Sequence, residues 1–185
     1  MNYGEIKSMD IANGPGVRVS LFVSGCTHHC KGCFNPETWD FNYGKLFDLA
    51  VEERLLRDLE PTFIEGLSLL GGEPFEPANS CVLAGFVQKV KQRFPGKTVW
   101  CYSGYCLEEL LADRMGGSPY TEELLSCVDV LVDGEFEEDK KVLNLKFRGS
   151  LNQRLINVPD SLRTGKIVEW HDPAETILPA GIRRP

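Results

Sequence analysis

The sequence predicts an α/β protein folded as a partial, open (β/α) barrel of about five or six mostly parallel strands. Short apolar segments alternate with segments of helical periodicity, and this order is typical of right-handed crossovers between parallel strands. The chain has 185 residues, whereas a complete eight-stranded barrel takes about 250. The length therefore favours an incomplete barrel within one domain.

The predicted strands are short apolar segments, and the first of them is rich in β-branched side chains, which pack well on a pleated surface. The first, over 16–25, runs directly into a cysteine-rich loop. The second, GLSLLGGEP, is broken by two adjacent glycines. Three further strands are predicted from KTVWCYSG, CVDVLVDGEF and NQRLINVP, over 97–104, 127–136 and 152–159.

Helices are predicted where apolar residues recur every three or four positions. The first covers 46–59, between the first two strands. The clearest covers 79–96, and either Asn79 or Ser80 can cap its start. A third helical stretch begins at about Leu107. Each helix lies between two predicted strands, as a parallel sheet requires.

Unusual residues follow the strand ends: the cysteine loop, GGEP, SGY and DGEF. In parallel α/β folds the carboxyl ends of the strands share one edge of the sheet, where binding sites assemble. We therefore expect these four loops to face one cavity.

Composition and charge argue against several classes of partner. The net charge of −7 argues against nucleic acid, because a phosphate-binding surface needs clustered Lys and Arg. No apolar run approaches the roughly 20 residues of a membrane-spanning helix, and the N-terminus lacks the apolar core of a signal peptide. We expect a cytoplasmic protein with no membrane contact, whose seven cysteines are thiols or metal ligands rather than disulfides.

The motif C-x3-C-x2-C places Cys26, Cys30 and Cys33 within one short loop. Structural zinc normally takes four ligands, and disulfides consume cysteines in pairs. A cubane [4Fe–4S] cluster held by three cysteines keeps one iron open to a substrate or cofactor. The spacing favours a cluster over zinc, although His28 or His29 could complete a zinc site.

The three-cysteine motif, followed by GGE after a later strand, resembles the radical S-adenosylmethionine (SAM) enzymes. In that superfamily the cysteines hold a [4Fe–4S] cluster and SAM chelates the open iron; reductive cleavage of SAM then yields a 5′-deoxyadenosyl radical. With NGPGVR, FNPETW, DVLVDGEF and FRGSLNQRLINV, the chain resembles the activating proteins of anaerobic (class III) ribonucleoside-triphosphate reductases. The resemblance implies a radical SAM core domain over 1–168 and a C-terminal tail over 169–185 without an assigned role.

The resemblance also implies which residues bind SAM. Glycines allow close backbone approach, and the carbonyl groups of the GGE loop can accept from the SAM ammonium. Without the resemblance, the glycines of the GGE loop would be interpreted as an ordinary turn. Asp133 would likewise be interpreted as part of a solvent-exposed turn at the end of a strand. His28 and His29 are interpreted as bystanders, one of which can tune the cluster by hydrogen bonding. The predicted cofactor-binding residues are Gly32, Cys33, Phe34, Gly71, Gly72, Glu73, Ser103, Asp133 and Gly134.

The implied partners are the large subunit of the reductase, whose glycyl radical loop is the substrate, and a flavodoxin-like electron donor. An open barrel suits a protein substrate, since a peptide loop must enter the site. Two other functions remain open from the sequence. One is a small-molecule radical SAM enzyme similar to deazapurine synthase, and the other is a zinc-binding module without catalysis.

Overall fold

A computed structural model describes residues 1–112 and 118–172 of the chain. Its strands are β1 (Asn2–Asp10), β2 (Val17–Val23), β3 (Lys45–Leu46), β4 (Ile64–Gly71), β5 (Thr98–Tyr102), β6 (Val130–Asp133) and β7 (Arg154–Asn157). Its helices are α1 (Leu49–Asp58), α2 (Pro77–Arg93), α3 (Leu107–Leu111), α4 (Tyr120–Ser126) and α5 (Val158–Thr164). Short 3-10 turns cover Pro36–Trp39 and Glu138–Lys140.

The described strands form one open, mixed sheet in the order β3-β1-β2-β4-β5-β6-β7. The β2–β4, β4–β5 and β5–β6 pairs are parallel, whereas β1–β2, β1–β3 and β6–β7 are antiparallel. The α/β class and the open sheet are confirmed. The expectation of five or six mostly parallel strands is wrong, because the described part of the chain has seven strands and antiparallel pairs at both ends of the sheet.

The two faces of the sheet have different chemistry, because side chains alternate along each strand. Val19, Leu21 and Val23 of β2 point into the apolar core, which α1, α2 and the neighbouring helices cover. Arg18, Ser20 and Phe22 lie at the alternate positions. Trp100, Val130 and Val132 form a second, smaller apolar cluster. Helices thus cover one face of the sheet, and the other remains available for a site.

Helix α2 begins earlier than predicted. Its N-cap is Glu76 and Pro77 is its first residue, so neither Asn79 nor Ser80 caps it. Proline suits this position because its fixed φ is helical and its missing N–H would have no partner there. Asn79 and Ser80 are instead buried within the first turn. No helix in the described ranges is long and apolar enough to cross a membrane.

The end of the described chain packs against the core. Helix α5 was not predicted; Asn157 caps it by accepting from the Asp160 N–H. Beyond the helix, Glu169 forms a β-bridge with Ile156, and the Trp170 ring lies 4.9 Å from that of Trp100. Residues 173–185 of the predicted tail lie outside the described residues.

Arg18 is a fully buried cation on the helix-free face of the sheet. Its guanidinium donates to the Ser68 and Thr98 hydroxyls at 2.8 and 2.9 Å, and to the Leu67 and Thr98 carbonyls at 2.8 Å each. It lies 5.7 Å from the centre of the Trp100 ring. Burial lowers its pKa to about 10, although nearby negative groups oppose the shift. The Arg18 guanidinium on β2 thus joins β4 and β5 through hydrogen bonds to neutral oxygens.

We expect Arg18→Ala to lower the free energy of unfolding by about 3 kcal/mol, because it leaves a cavity and unpaired buried acceptors. Urea unfolding followed by circular dichroism measures the change. Arg93→Ala is the control, since Arg93 pairs with Glu60 at the surface, and it should cost less than about 1 kcal/mol. Equal losses in the two variants would contradict the structural role of Arg18.

Candidate metal and cofactor site

One cavity of about 440 Å³ brings together most of the predicted site residues. It lies beside the carboxyl ends of β2, β4 and β5, as expected for strand-end loops that share one edge. All four predicted loops contribute to its wall. The predicted residues in this wall are Cys26, Cys30, Cys33, Phe34, Gly71, Gly72, Glu73, Ser103 and Gly134.

Two predicted residues do not line this cavity. Gly32 is exposed, and a Cβ atom there would lie 2.8 Å from a Glu138 carboxylate oxygen. Asp133 is fully buried, and its carboxylate accepts from Arg154 Nε at 2.9 Å and Nη2 at 2.5 Å. It also accepts from the Leu107 N–H at 2.9 Å. The predicted contact of Asp133 with SAM stays a prediction, and both carboxylate oxygens already have protein partners.

The cysteine loop is anchored where it leaves β2. The Gly25 N–H donates to the Thr38 carbonyl at 2.7 Å, and the Cys26 N–H donates to the Trp39 carbonyl at 3.3 Å. Both acceptors belong to the 3-10 turn at Pro36–Trp39, which follows the last cysteine. The loop therefore closes on itself, and its entry and exit are held together by backbone hydrogen bonds.

Cys26, Cys30 and Cys33 are free thiols, each partly exposed. Burial raises the pKa of Cys26 to about 12 and also raises that of Cys30, so both would need nearby positive charge to become thiolates. The Asn35 N–H lies 3.4 Å from Cys33 Sγ and can stabilise a thiolate there. Within 1–112 and 118–172, no three His, Cys, Asp or Glu side chains converge to hold a single ion. A cubane does not require such convergence, because each thiolate binds a different iron.

The Glu73 carboxylate is a buried junction between loops, with only 1% of the residue exposed. Its Oε1 atom accepts from the Phe75 N–H at 2.9 Å and the Ser103 hydroxyl at 3.0 Å. Its Oε2 atom accepts from the Gly104 N–H at 2.8 Å. The Glu73 N–H itself donates to the Gly25 carbonyl at 2.9 Å. One residue thus joins the loops that follow β2, β4 and β5.

His28 lies between two carboxylates, a placement that the sequence did not predict. Its Nδ1 atom is 2.9 Å from Glu135 Oε1, and its Nε2 atom is 3.3 Å from Glu73 Oε2. The second distance is long for a hydrogen bond, so that contact is mainly an ion pair. Burial alone would lower the pKa of His28, but the two carboxylates outweigh it and raise the pKa to about 9.

The start of α2 also holds the cysteine loop. Asn79 Nδ2 donates to the Glu73 carbonyl at 2.8 Å and lies 3.4 Å from the Gly25 carbonyl. Glu76 Oε1 accepts from the Thr27 N–H at 2.9 Å and from its hydroxyl at 2.5 Å. The contacts with Gly25 and Thr27 have no signal in the sequence, because they join the start of the helix to a loop about 50 positions away.

The two glycines of the GGE loop allow its backbone to pack directly against the backbone at the end of β2 and the start of the cysteine loop. A Cβ atom at Gly72 would lie 2.6 Å from the Gly25 carbonyl oxygen, and one at Gly71 would lie 2.8 Å from the Val23 carbonyl oxygen. Gly71 also has a φ of +100°, a backbone conformation that residues with a side chain rarely adopt. Close approach was predicted for a ligand, and here the same glycines approach the cysteine loop.

The other cysteines lie outside the wall of this cavity. Cys101 is buried in the core, as expected for an apolar strand position. Cys81, by contrast, is exposed on α2. Its neighbours Val82 and Leu83 instead pack toward the core.

The chain falls in the class of single-cluster iron–sulfur proteins, since residues 12–156 match the family model described as "4Fe-4S single cluster domain". A Pasteurella multocida protein is 46% identical over 155 residues, which are 83% of this chain and 95% of the relative. Proteins of Escherichia coli K12 (43% identity; 83% and 96% covered) and Enterobacteria phage T4 (40%; 88% and 97%) are also similar. All three are named anaerobic ribonucleoside-triphosphate reductase-activating protein. This chain belongs to that family.

We expect Glu73→Ala to lower the free energy of unfolding by about 2–4 kcal/mol, because it leaves the Phe75 and Gly104 N–H groups unpaired in the interior. Glu73→Gln, which keeps one acceptor oxygen, should cost less. Chemical denaturation of the cofactor-free chain gives both values. Glu138→Ala removes a carboxylate from a surface ion pair with Lys31 and should change stability by less than about 1 kcal/mol. A Glu73→Ala variant as stable as Glu138→Ala would contradict the junction described here.

Proposed function

We propose that the chain is the iron–sulfur activase of an anaerobic ribonucleoside-triphosphate reductase. Cys26, Cys30 and Cys33 would hold one [4Fe–4S] cluster, and SAM would occupy the adjoining cavity. When bound, these groups would supply reductive cleavage of SAM and a 5′-deoxyadenosyl radical that takes hydrogen from a glycine of the reductase. The observation that carries the proposal is the convergence of three free thiols and the GGE loop on one cavity.

The thiol environment supports a cluster. Burial keeps the Cys26 thiol protonated in the absence of positive charge, and irons would provide that charge. The N–H of Asn35 would donate to the Cys33 thiolate and help to set the reduction potential. The anchored ends of the loop would keep the three sulfurs in place without help from the cofactor.

The walls beside the thiols support a SAM site. In the GGE loop, the Gly72 N–H is already bonded to the Val23 carbonyl at 2.7 Å. The loop would offer its carbonyl groups to the SAM ammonium. The exposed Phe34 ring packs against Phe136 with 4.9 Å between centroids and offers a surface for adenine. We assign Gly134 to the cavity wall and Asp133 to fixing the end of β6 through Arg154.

The partner proposals rest on the open sheet and on the names of the relatives. The helix-free face would form the concave wall of a partial barrel of the radical SAM type. Its open side would admit the glycine-containing loop of the reductase large subunit. A flavodoxin-like protein would supply the electron, and a nucleotide-reducing partner fits a cytoplasmic location.

We expect Cys30→Ala to abolish formation of 5′-deoxyadenosine after anaerobic reconstitution with iron and sulfide and reduction in the presence of SAM. The variant loses one of the three sulfurs, so the cluster cannot be held. Adding the reductase and recording the glycyl radical by electron paramagnetic resonance tests the second step. Cys81→Ala on the exposed side of α2 is the control and should retain both signals. A wild-type chain that binds one zinc and no cluster would refute the proposed function.

We expect Phe34→Ala to weaken SAM binding about tenfold, since stacking of a base on an aromatic ring contributes about 1–3 kcal/mol. Iron content should not change, because Phe34 supplies no ligand. Equilibrium dialysis with reconstituted protein measures the Kd. Phe63→Ala is a matched control, because Phe63 is 57% exposed against 59% for Phe34 and does not line the cavity. Equal Kd values for the two variants would exclude adenine stacking on Phe34.

A further inference from the structure

We infer that His28 is a positioning residue that holds the cysteine loop in its cluster-binding conformation by bridging the carboxylates of Glu73 and Glu135. The inference rests on the proposed function, because the loop is taken to hold an iron–sulfur cluster. His28 lies between the first two cysteines of the motif, Cys26 and Cys30. Any displacement of its backbone would therefore move the sulfurs on both sides.

The two contacts of the ring reach two different parts of the sheet. Glu73 follows β4 and lies 3.3 Å from Nε2, whereas Glu135 follows β6 and lies 2.9 Å from Nδ1. The histidine side chain is only 8% exposed. The contact with Glu73 is shielded from water and is therefore stronger than one at the surface, whereas the Glu135 side chain is 57% exposed. One ring thus ties the loop after β2 to the loops after β4 and β6.

The loop after β5 provides the space for this ring. A Cβ atom at Gly104 would lie 2.6 Å from Cδ2 and Nε2 of His28, so only glycine leaves room there. The Tyr105 ring packs beside the imidazole, with 4.3 Å between centroids and an interplanar angle of 59°. The SGY segment is therefore shaped around His28, although His28 lies on another loop.

The β6 end of the bridge is itself fixed. The Glu135 carbonyl accepts from Asn152 Nδ2 at 2.7 Å, and the Gly134 carbonyl accepts from Gln153 Nε2 at 2.9 Å. Both donors precede β7, so the Glu135 backbone is held by the segment that returns to the sheet. His28 consequently contacts a fixed support rather than a free loop tip.

His29 has different surroundings, and this gives a control at the adjacent position. It is exposed, its ring packs on Trp39 with 4.8 Å between centroids, and its φ is +51°. Asparagine tolerates this backbone conformation better than most residues. His29→Asn therefore removes a neighbouring imidazole without straining the loop.

The test compares cluster retention in reconstituted full-length variants. The amide of His28→Asn overlays Nδ1 and can keep the Glu135 contact, whereas that of His28→Gln overlays Nε2 and can keep the Glu73 contact. His28→Ala removes both. After anaerobic reconstitution, iron release to a ferrous chelator gives a first-order rate for each chain. We expect His28→Ala to release iron about tenfold or more faster than wild type, with Asn and Gln intermediate and His29→Asn unchanged.

Two further measurements separate positioning from general stabilisation. The paramagnetic resonance spectrum of the reduced cluster should change shape in His28→Ala, whereas a purely structural role would reduce its amplitude only. If His28→Ala does not fold, Glu135→Ala tests the same bridge from a partner whose side chain is 57% exposed; iron release should be several-fold faster.

The outcomes distinguish this inference from the proposed function. A wild-type chain that binds no cluster would refute the proposed function and remove the basis of the inference. A wild-type chain that holds the cluster, together with His28→Ala or Glu135→Ala variants that release iron at the wild-type rate, would overturn the inference alone.

Discussion

The site depends on the burial of one carboxylate, that of Glu73. A charge removed from water must be surrounded by hydrogen-bond donors or positive groups, or its desolvation would oppose folding. Here the donors come from the loops after β4 and β5, and a histidine comes from the loop after β2. The requirement to satisfy this charge therefore fixes the relative positions of three loops, and the cavity lies between them.

Buried charges with many partners occur on both faces of the sheet: Arg18 lies on the helix-free face, and Asp133 lies on the helix-covered face, where it contacts the start of α3. Arg18 is surrounded by hydroxyl and carbonyl oxygens, and Asp133 is paired with Arg154. The hydrogen bonds that Arg154 donates to Asp133 and Glu108 raise the pKa of its guanidinium. Such groups leave little freedom to the strand ends, because moving one partner leaves a charge unpaired. A sheet made rigid in this way is suitable for holding reactive groups in fixed geometry.

The sequence identified the strands and loops that build the cavity, because apolar periodicity and glycine or cysteine motifs are local signals. It missed β1, whose residues from Glu5 to Met9 alternate between exposed and partly buried positions beside the edge strand β3. It offered Asn79 or Ser80 as the helix cap and His28 as a bystander, since contacts between residues far apart in the chain leave no periodic trace. Asp133 was expected to face a ligand, but its carboxylate is paired with Arg154 of β7. The sequence predicted this strand but not its antiparallel direction, which places Arg154 opposite Asp133.

The antiparallel return of β7 has a consequence for how such a protein can diversify. Asp133 lies opposite Arg154 in the β6–β7 pair, so the segment 134–153 leaves and re-enters the sheet at neighbouring positions. This segment contributes Phe136, Phe147 and Arg148 to the cavity wall. Its length can change without shifting any core strand, because loop closure depends only weakly on loop length. One insertion or deletion in the middle of this segment, away from Glu135, Asn152 and Gln153, could therefore alter which molecule reaches the cavity while the cysteine loop and its supports stay as they are.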